Sequence, residues 1–131
     1  MWFVAECHRI LEPQGTLVLS TPNRLTFPSG NWYHTRELTA KEFTELLEPH
    51  FEITQALGLH HGERLAQWEA QYGSCVDAQL AGAYDGWDDN LAAVVRNTTH
   101  ADFEIRPDHA DLDESLDLIL VARPKDARSV R

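Results

Sequence analysis

The chain has 131 residues, 21 acidic and 11 basic, for a formal net charge of −10, and 43% of its side chains are hydrophobic. That length suits one small domain or part of a larger one, and the apolar fraction excludes an intrinsically disordered chain. The acidity excludes a nucleic-acid backbone binder, which needs a clustered basic face. No apolar run approaches the roughly 20 residues of a membrane span. The opening Met1-Trp2-Phe3-Val4-Ala5-Glu6 lacks a signal peptide's basic and then apolar pattern, and Cys7 and Cys75 are too few for a disulfide framework. The expectation is a cytoplasmic protein with reduced thiols, no membrane partner and no nucleic-acid partner.

Phe3, Cys7, Ile10 and Leu11 recur at helical spacing and predict the end of an amphipathic helix over Trp2 to Leu11. No capping residue precedes it, so the pattern starts inside a helix, and Glu12-Pro13-Gln14-Gly15 turns the chain out of it. Thr16-Leu17-Val18-Leu19-Ser20 predicts a short strand buried on both faces, broken by Thr21-Pro22-Asn23. Residues 24–36 read as a loop. Thr39 and Glu42 then form a capping box, with Leu38 and Phe43 as its hydrophobic staple. Phe43, Leu46 and Leu47 are the buried stripe of this second helix, which Pro49 stops.

Phe51, Ile53, Leu57 and Leu59 alternate as a strand over 51–59, and Leu65, Trp68 and Tyr72 predict a helix over 62–72, with Trp68 and Tyr72 in the core. From 73 to 113 only a short helix at 91–95 and a strand start at Phe103 and Ile105 emerge. Residues 116–122, Leu-Asp-Leu-Ile-Leu-Val-Ala, form the clearest strand, and 125–131 a charged tail following one domain portion at 1–124. The charge is concentrated: residues 77–117 hold eleven carboxylates against Arg96 and Arg106. This segment reads as a solvated connection. Asp85-Gly86-Trp87-Asp88-Asp89-Asn90 is no calcium loop, because its glycine is second instead of sixth.

The run from Glu6 to Asn23 closely resembles class I S-adenosylmethionine-dependent methyltransferases: their helix, L-x-P-x-G turn, fifth strand and T-P-N loop. Asn31-Trp32-Tyr33-His34-Thr35-Arg36-Glu37, ahead of a capped helix, is similar to the N-P-x-H-x-R-E loop of the type 11-like branch, with Trp32 where proline is commoner. His60-His61-Gly62 and the strand ending at Pro124 resemble that branch's last two strands. The likeness covers nearly the whole chain and is weakest over 73–110.

The resemblance implies an α/β fold: a partial Rossmann-like sheet with equivalents of strands 5, 6 and 7, flanking helices, and the last strand antiparallel. It implies S-adenosylmethionine as methyl donor and a small-molecule acceptor. The family's donor-binding residues lie in a first half with a glycine-rich turn, and this sequence has no G-x-G-x-x-G. The chain therefore resembles the C-terminal half alone, inactive unaided, with its cofactor-binding residues unknown. Without a fourth strand the fifth would be an exposed apolar edge. A homodimer, a separate N-terminal half or a rearranged helix is expected to cover it. The alternative is a non-catalytic remnant or interaction module that dimerises or complements a separate N-terminal half.

Open α/β sheets bind ligands beyond the carboxyl ends of their strands, which makes 21–37 the acceptor-side loop. There His34 is the candidate catalytic base or acceptor-orienting group, against the reading that it only ties loop to helix through Arg36 or Glu37. Asn23, Asn31, Tyr33 and Arg36 are candidate acceptor ligands, although asparagine in loops equally serves turn backbone. His60 and His61 are placed near the acceptor pocket. A metal centre from His34, Glu37, His60 and His61 is not expected, because adjacent strand histidines point to opposite sides. Cys7 reads as packing.

Overall fold

A computed structural model describes residues 2–26, 36–107 and 112–126. The first helix, α1 (Trp2–Ile10), buries Val4 and rests Cys7 and Leu11 on the core, while Phe3 is 53% and Ile10 63% exposed. The buried stripe is thus rotated from the one expected. Trp2, Phe3, Val4, Cys7, Ile10 and Leu11 place apolar groups around more than one face, so periodicity alone did not select which one docks.

Strand β1 (Leu17–Pro22) runs two residues further than the expected break. Pro22 lacks a backbone N–H, but β1 is the end strand of the sheet, where proline costs no ladder bond on its open side. Only the Leu17 face of β1 is covered. Val18 is 61% exposed, so the strand is not buried on both faces.

Helix α2 (Ala40–Leu47) begins as the sequence dictates. Thr39 Oγ1 accepts the Glu42 N–H at 3.2 Å and Glu42 Oε2 accepts the Thr39 N–H at 2.9 Å. Leu38 and Phe43 are both buried beside this box. Thr39→Ala is expected to cost about 1 kcal/mol, read as a lower urea midpoint with an unchanged slope.

Strands β2 (Phe51–His61), β3 (Phe103–Arg106) and β4 (Asp117–Pro124) complete a four-stranded sheet in the order β1-β4-β2-β3. β4 is antiparallel to β1 and to β2, so β1 and β2 run parallel to each other on either side of it. Leu118, Leu120 and Ala122 point to the face packed by Val4, Phe43, Leu47 and Phe51. A bulge between Ile53 and Gln55 shifts the register of β2. Beyond it Ala56 and Gly58, opposite Leu120 and Leu118, take the core side, and Leu57 and Leu59 take the other. The expected simple alternation fails at that bulge.

The chain divides into two compact units, residues 1–59 with 105–131, and residues 60–104. The second contains α3 (Glu63–Tyr72), α4 (Cys75–Ala81) and α5 (Asp89–Arg96) around Leu65, Cys75, Leu91 and Val94. Trp68 packs against this core, but Tyr72 is 53% exposed and is not a core residue.

Several described carboxylates of the acidic stretch sit at helix starts, so they do more than solvate a connection. Asp77 occupies the first turn of α4, and Asp88 caps α5 by accepting the Leu91 N–H at 2.8 Å, with Asp89 following. Negative charge there opposes the helix dipole and satisfies orphan amides. Among the described residues no helix is long and apolar enough to cross a membrane.

Candidate functional site

β1 leaves the sheet into Asn23, and this residue organises the carboxyl end of the strand. Asn23 is fully buried. Its Nδ2 donates to the carbonyls of Leu112 (3.1 Å), Asp113 (3.0 Å) and Ser115 (2.8 Å), and its Oδ1 accepts the Leu25 N–H at 3.1 Å. The side chain is thus committed to backbone and holds the loop after β1 against the turn before β4. The Asn23 N–H donates to Leu116 O at 2.9 Å, and the Arg24 N–H to Leu38 O at 3.1 Å, so the two ends of the loop meet.

Arg36 is exposed beside a shallow cleft of about 200 Å³ with Leu38, Glu42 and Leu46. Arg24 pairs with Glu42 Oε2 at 3.0 Å. The Thr39 N–H, with help from Arg24, holds the Glu42 carboxyl below its usual range. His34, Asn31 and Tyr33 lie outside the described residues.

Asp117 is a residue the sequence reading passed over. It opens β4, opposite Pro22 of β1 and Leu59 of β2, where both of those parallel strands approach their carboxyl ends. It is half-buried, and burial raises its carboxyl above the ordinary range. A carboxyl raised in this way accepts and returns protons closer to neutrality than an exposed one. The available signal was an acid inside an otherwise apolar strand, Leu-Asp-Leu-Ile-Leu.

The two histidines at the end of β2 have different environments. His60 is buried. His61 sits in the second unit with Nδ1 3.0 Å from Glu69 Oε2, and its ring tilts over Phe103 at 5.7 Å. Nearby, Arg64 grips Asp102 through Nε (2.6 Å) and Nη2 (2.9 Å), and Asp102 also accepts the Thr99 N–H at 2.8 Å. Arg64 foremost, then the Thr99 amide, hold the Asp102 carboxyl far below its usual range. A carboxylate depressed in the folded state contributes stability above its unfolded pKa, near 3.9, and loses it as pH falls toward the folded value. Asp102→Asn is accordingly expected to flatten the acid limb of the stability–pH curve below about pH 4. Urea midpoints from pH 2 to pH 7 test this.

Among the described residues no group of three or more histidine, cysteine, aspartate or glutamate side chains could hold a metal ion. Nor does the glycine that follows β2 cradle a nucleoside. Gly62 follows β2 and caps α3, but a Cβ there would lie 3.0 Å from Asp102 O, and the Gly62 N–H donates to that same oxygen at 2.7 Å. Its space is filled by protein. At Gly62, then, no room is left for S-adenosylmethionine.

A protein of Mycolicibacterium smegmatis named "Probable S-adenosylmethionine-dependent methyltransferase" is 45% identical over 130 residues, covering 92% of this chain and 51% of that protein. A Mycobacterium tuberculosis protein of the same description is 47% identical over 131 residues, covering 92% of this chain and 48% of its own length. The chain is a methyltransferase relative. It spans about half the length of the curated relatives it matches. No protein-family profile matches it, and no solved structure does. Its elements are α/β, and the resemblance to these relatives covers 92% of the chain.

Proposed function

We propose that this chain is the C-terminal half of a cytoplasmic class I methyltransferase that transfers a methyl group from S-adenosylmethionine to a small-molecule acceptor. In this reading it acts only when joined to a donor-binding half. The observation that carries the reading is the strand order. Two parallel strands, β1 and β2, flank an antiparallel β4, as expected of strands 5, 6 and 7 of that sheet. The 45–47% identity to half of each named relative supports the same assignment.

Methyl transfer is an in-line displacement, so the protein must align the acceptor and take up its proton. In this reading the loop after β1 is the acceptor wall. His34 is its base or orienting group, Asn31, Tyr33 and Arg36 are its polar contacts, and Asn23 is the post that fixes it. Asp117, at the same end of the sheet, is a second candidate for the proton.

The open edge supports the need for a partner. Val18 on β1, and Trp2, Phe3 and Ile10 on α1, are exposed apolar side chains in one unit of a small protein. A donor-binding half covering β1 would bury such surface. Calorimetric titration with S-adenosylmethionine tests the reading. No binding is expected for the chain alone, and micromolar binding once a relative's other half is co-expressed with it. An assembled pair that binds no donor overturns the reading.

The exposed edge also favours a second reading, a module that pairs with another copy of itself. Sedimentation would then show a dimer that Val18→Lys weakens at least about tenfold, since edge lysines block strand addition. A monomer unaffected by this change removes that reading.

A further inference from the structure

The second unit holds a half-open cavity of about 210 Å³. Leu65, Val95 and Phe103 supply its apolar wall, and His61, Cys75, Gln79 and Thr98 its polar positions. Most of those polar groups are already engaged. Thr98 donates its hydroxyl to Val94 O at 2.8 Å. Gln79 donates its amide to Cys75 O at 3.2 Å and to Cys75 Sγ at 3.5 Å. Because a carbonyl only accepts, Gln79 presents its nitrogen there and keeps Oε1 as an acceptor. Burial pushes the Cys75 thiol up and so keeps it neutral.

Besides Gln79 Oε1, His61 is the exception. Glu69 divides its carboxylate between His61 Nδ1, at 3.0 Å, and the Cys75 N–H, at 2.9 Å. In the neutral ring, an Nδ1–H directed at this carboxylate leaves Nε2 with its lone pair. Phe103 packs the ring and limits its rotation. This is the arrangement of a preorganised hydrogen-bond acceptor beside an apolar wall. Glu69 behind it disfavours an anionic ligand.

The geometry points to a recognition site for a compact ring carrying one hydroxyl group. The hydroxyl donates to His61 Nε2, and the ring lies against Leu65, Val95 and Phe103. Size agrees with this: an apolar cavity of about 150 Å³ accepts benzene, so this one has room for a six-membered ring and a substituent. That the ligand is the methyl acceptor rests on the proposed function above; the binding site itself does not.

The test is an NMR titration of the isotope-labelled chain with phenol and, separately, with toluene, which has the same shape without the donor. Phenol is expected to move the His61 ring nitrogens and the Leu65 and Val95 methyl signals, and to bind about tenfold more tightly than toluene, the scale of one hydrogen bond. His61→Phe keeps an aromatic ring and is expected to erase that preference while the amide spectrum stays folded. Equal binding of the two probes, or no shift at His61, overturns the proposal, and the wild-type comparison decides this even if the variant unfolds. Phenol bound at His61 by an assembled pair that binds no donor would sustain the site and remove the methyltransferase reading. Donor binding without the phenol preference would do the reverse.

Discussion

Phe51→Ala is expected to remove about 3–5 kcal/mol of stability, the usual cost of deleting a fully buried aromatic ring. Phe51 has no exposed surface. It opens β2 opposite Pro124, and the His8 ring meets it edge-on at 5.5 Å. The same corner is tied by His8 Nε2 to Lys125 O at 3.0 Å and by the Lys125 N–H to His50 O at 2.9 Å. Removing the ring therefore leaves a void at a junction of α1, β2 and the end of β4 that several polar contacts hold in place, so little collapse can fill it. Small domains are stable by only about 5–15 kcal/mol, so this variant would sit near the unfolding threshold. A urea midpoint lowered by about 1–3 M checks it, and a shift below about 0.5 M would show that the corner is not central. Phe51→Leu is expected to cost roughly half as much, because much of the volume is kept.

Asn23→Ala is expected to cost about 2–4 kcal/mol, since it strips the carbonyls of Leu112, Asp113 and Ser115 of a shared donor in a buried place. Asn23→Asp is the sharper test. The shape is preserved, but an ionised carboxylate turns oxygen toward three carbonyl oxygens where the amide gave hydrogen. The folded protein then favours the protonated acid, so the pKa of that aspartate rises on folding. A raised carboxylate pKa makes this variant lose stability as pH rises, and its deficit against wild type should be larger at pH 7 than at pH 4. Paired urea titrations at the two pH values decide the matter. A deficit independent of pH would mean that Asn23 contributes shape and no hydrogen bonding. The same variants separate structure from recognition, because a residue that holds the loop after β1 shows its loss without any ligand present.

Local chemistry was legible wherever the signal is local. The Thr39–Glu42 box, the burial of Leu38 and Phe43 beside it and the stop near Pro49 need only a few consecutive residues, and all three are present. The β4 strand and the resemblance running from Glu6 to Asn23 were equally readable. The stripe of α1 was not, because several faces carry apolar groups and only the position of Leu17 and Phe51 selects Val4. The bulge before Gln55 was invisible for a similar reason: one extra residue opposite Val121 inverts which side of β2 faces the core. Asp88 and Asp102 look like solvated charge when counted, and become acceptors for backbone amides at helix starts once the backbone is placed.

The sequence by itself determined the α/β character of the described elements, the capped second helix, and kinship with methyltransferases, since composition, capping and an ordered set of motifs are properties of neighbouring residues. The tertiary structure decided the rest. It alone committed Asn23 to three carbonyls some ninety residues away, brought Asp117 to the carboxyl ends of β1 and β2, and set His61 against Glu69 above a cavity. Those relations join residues distant along the chain, and only burial and pairing in three dimensions choose among the partners that a sequence allows.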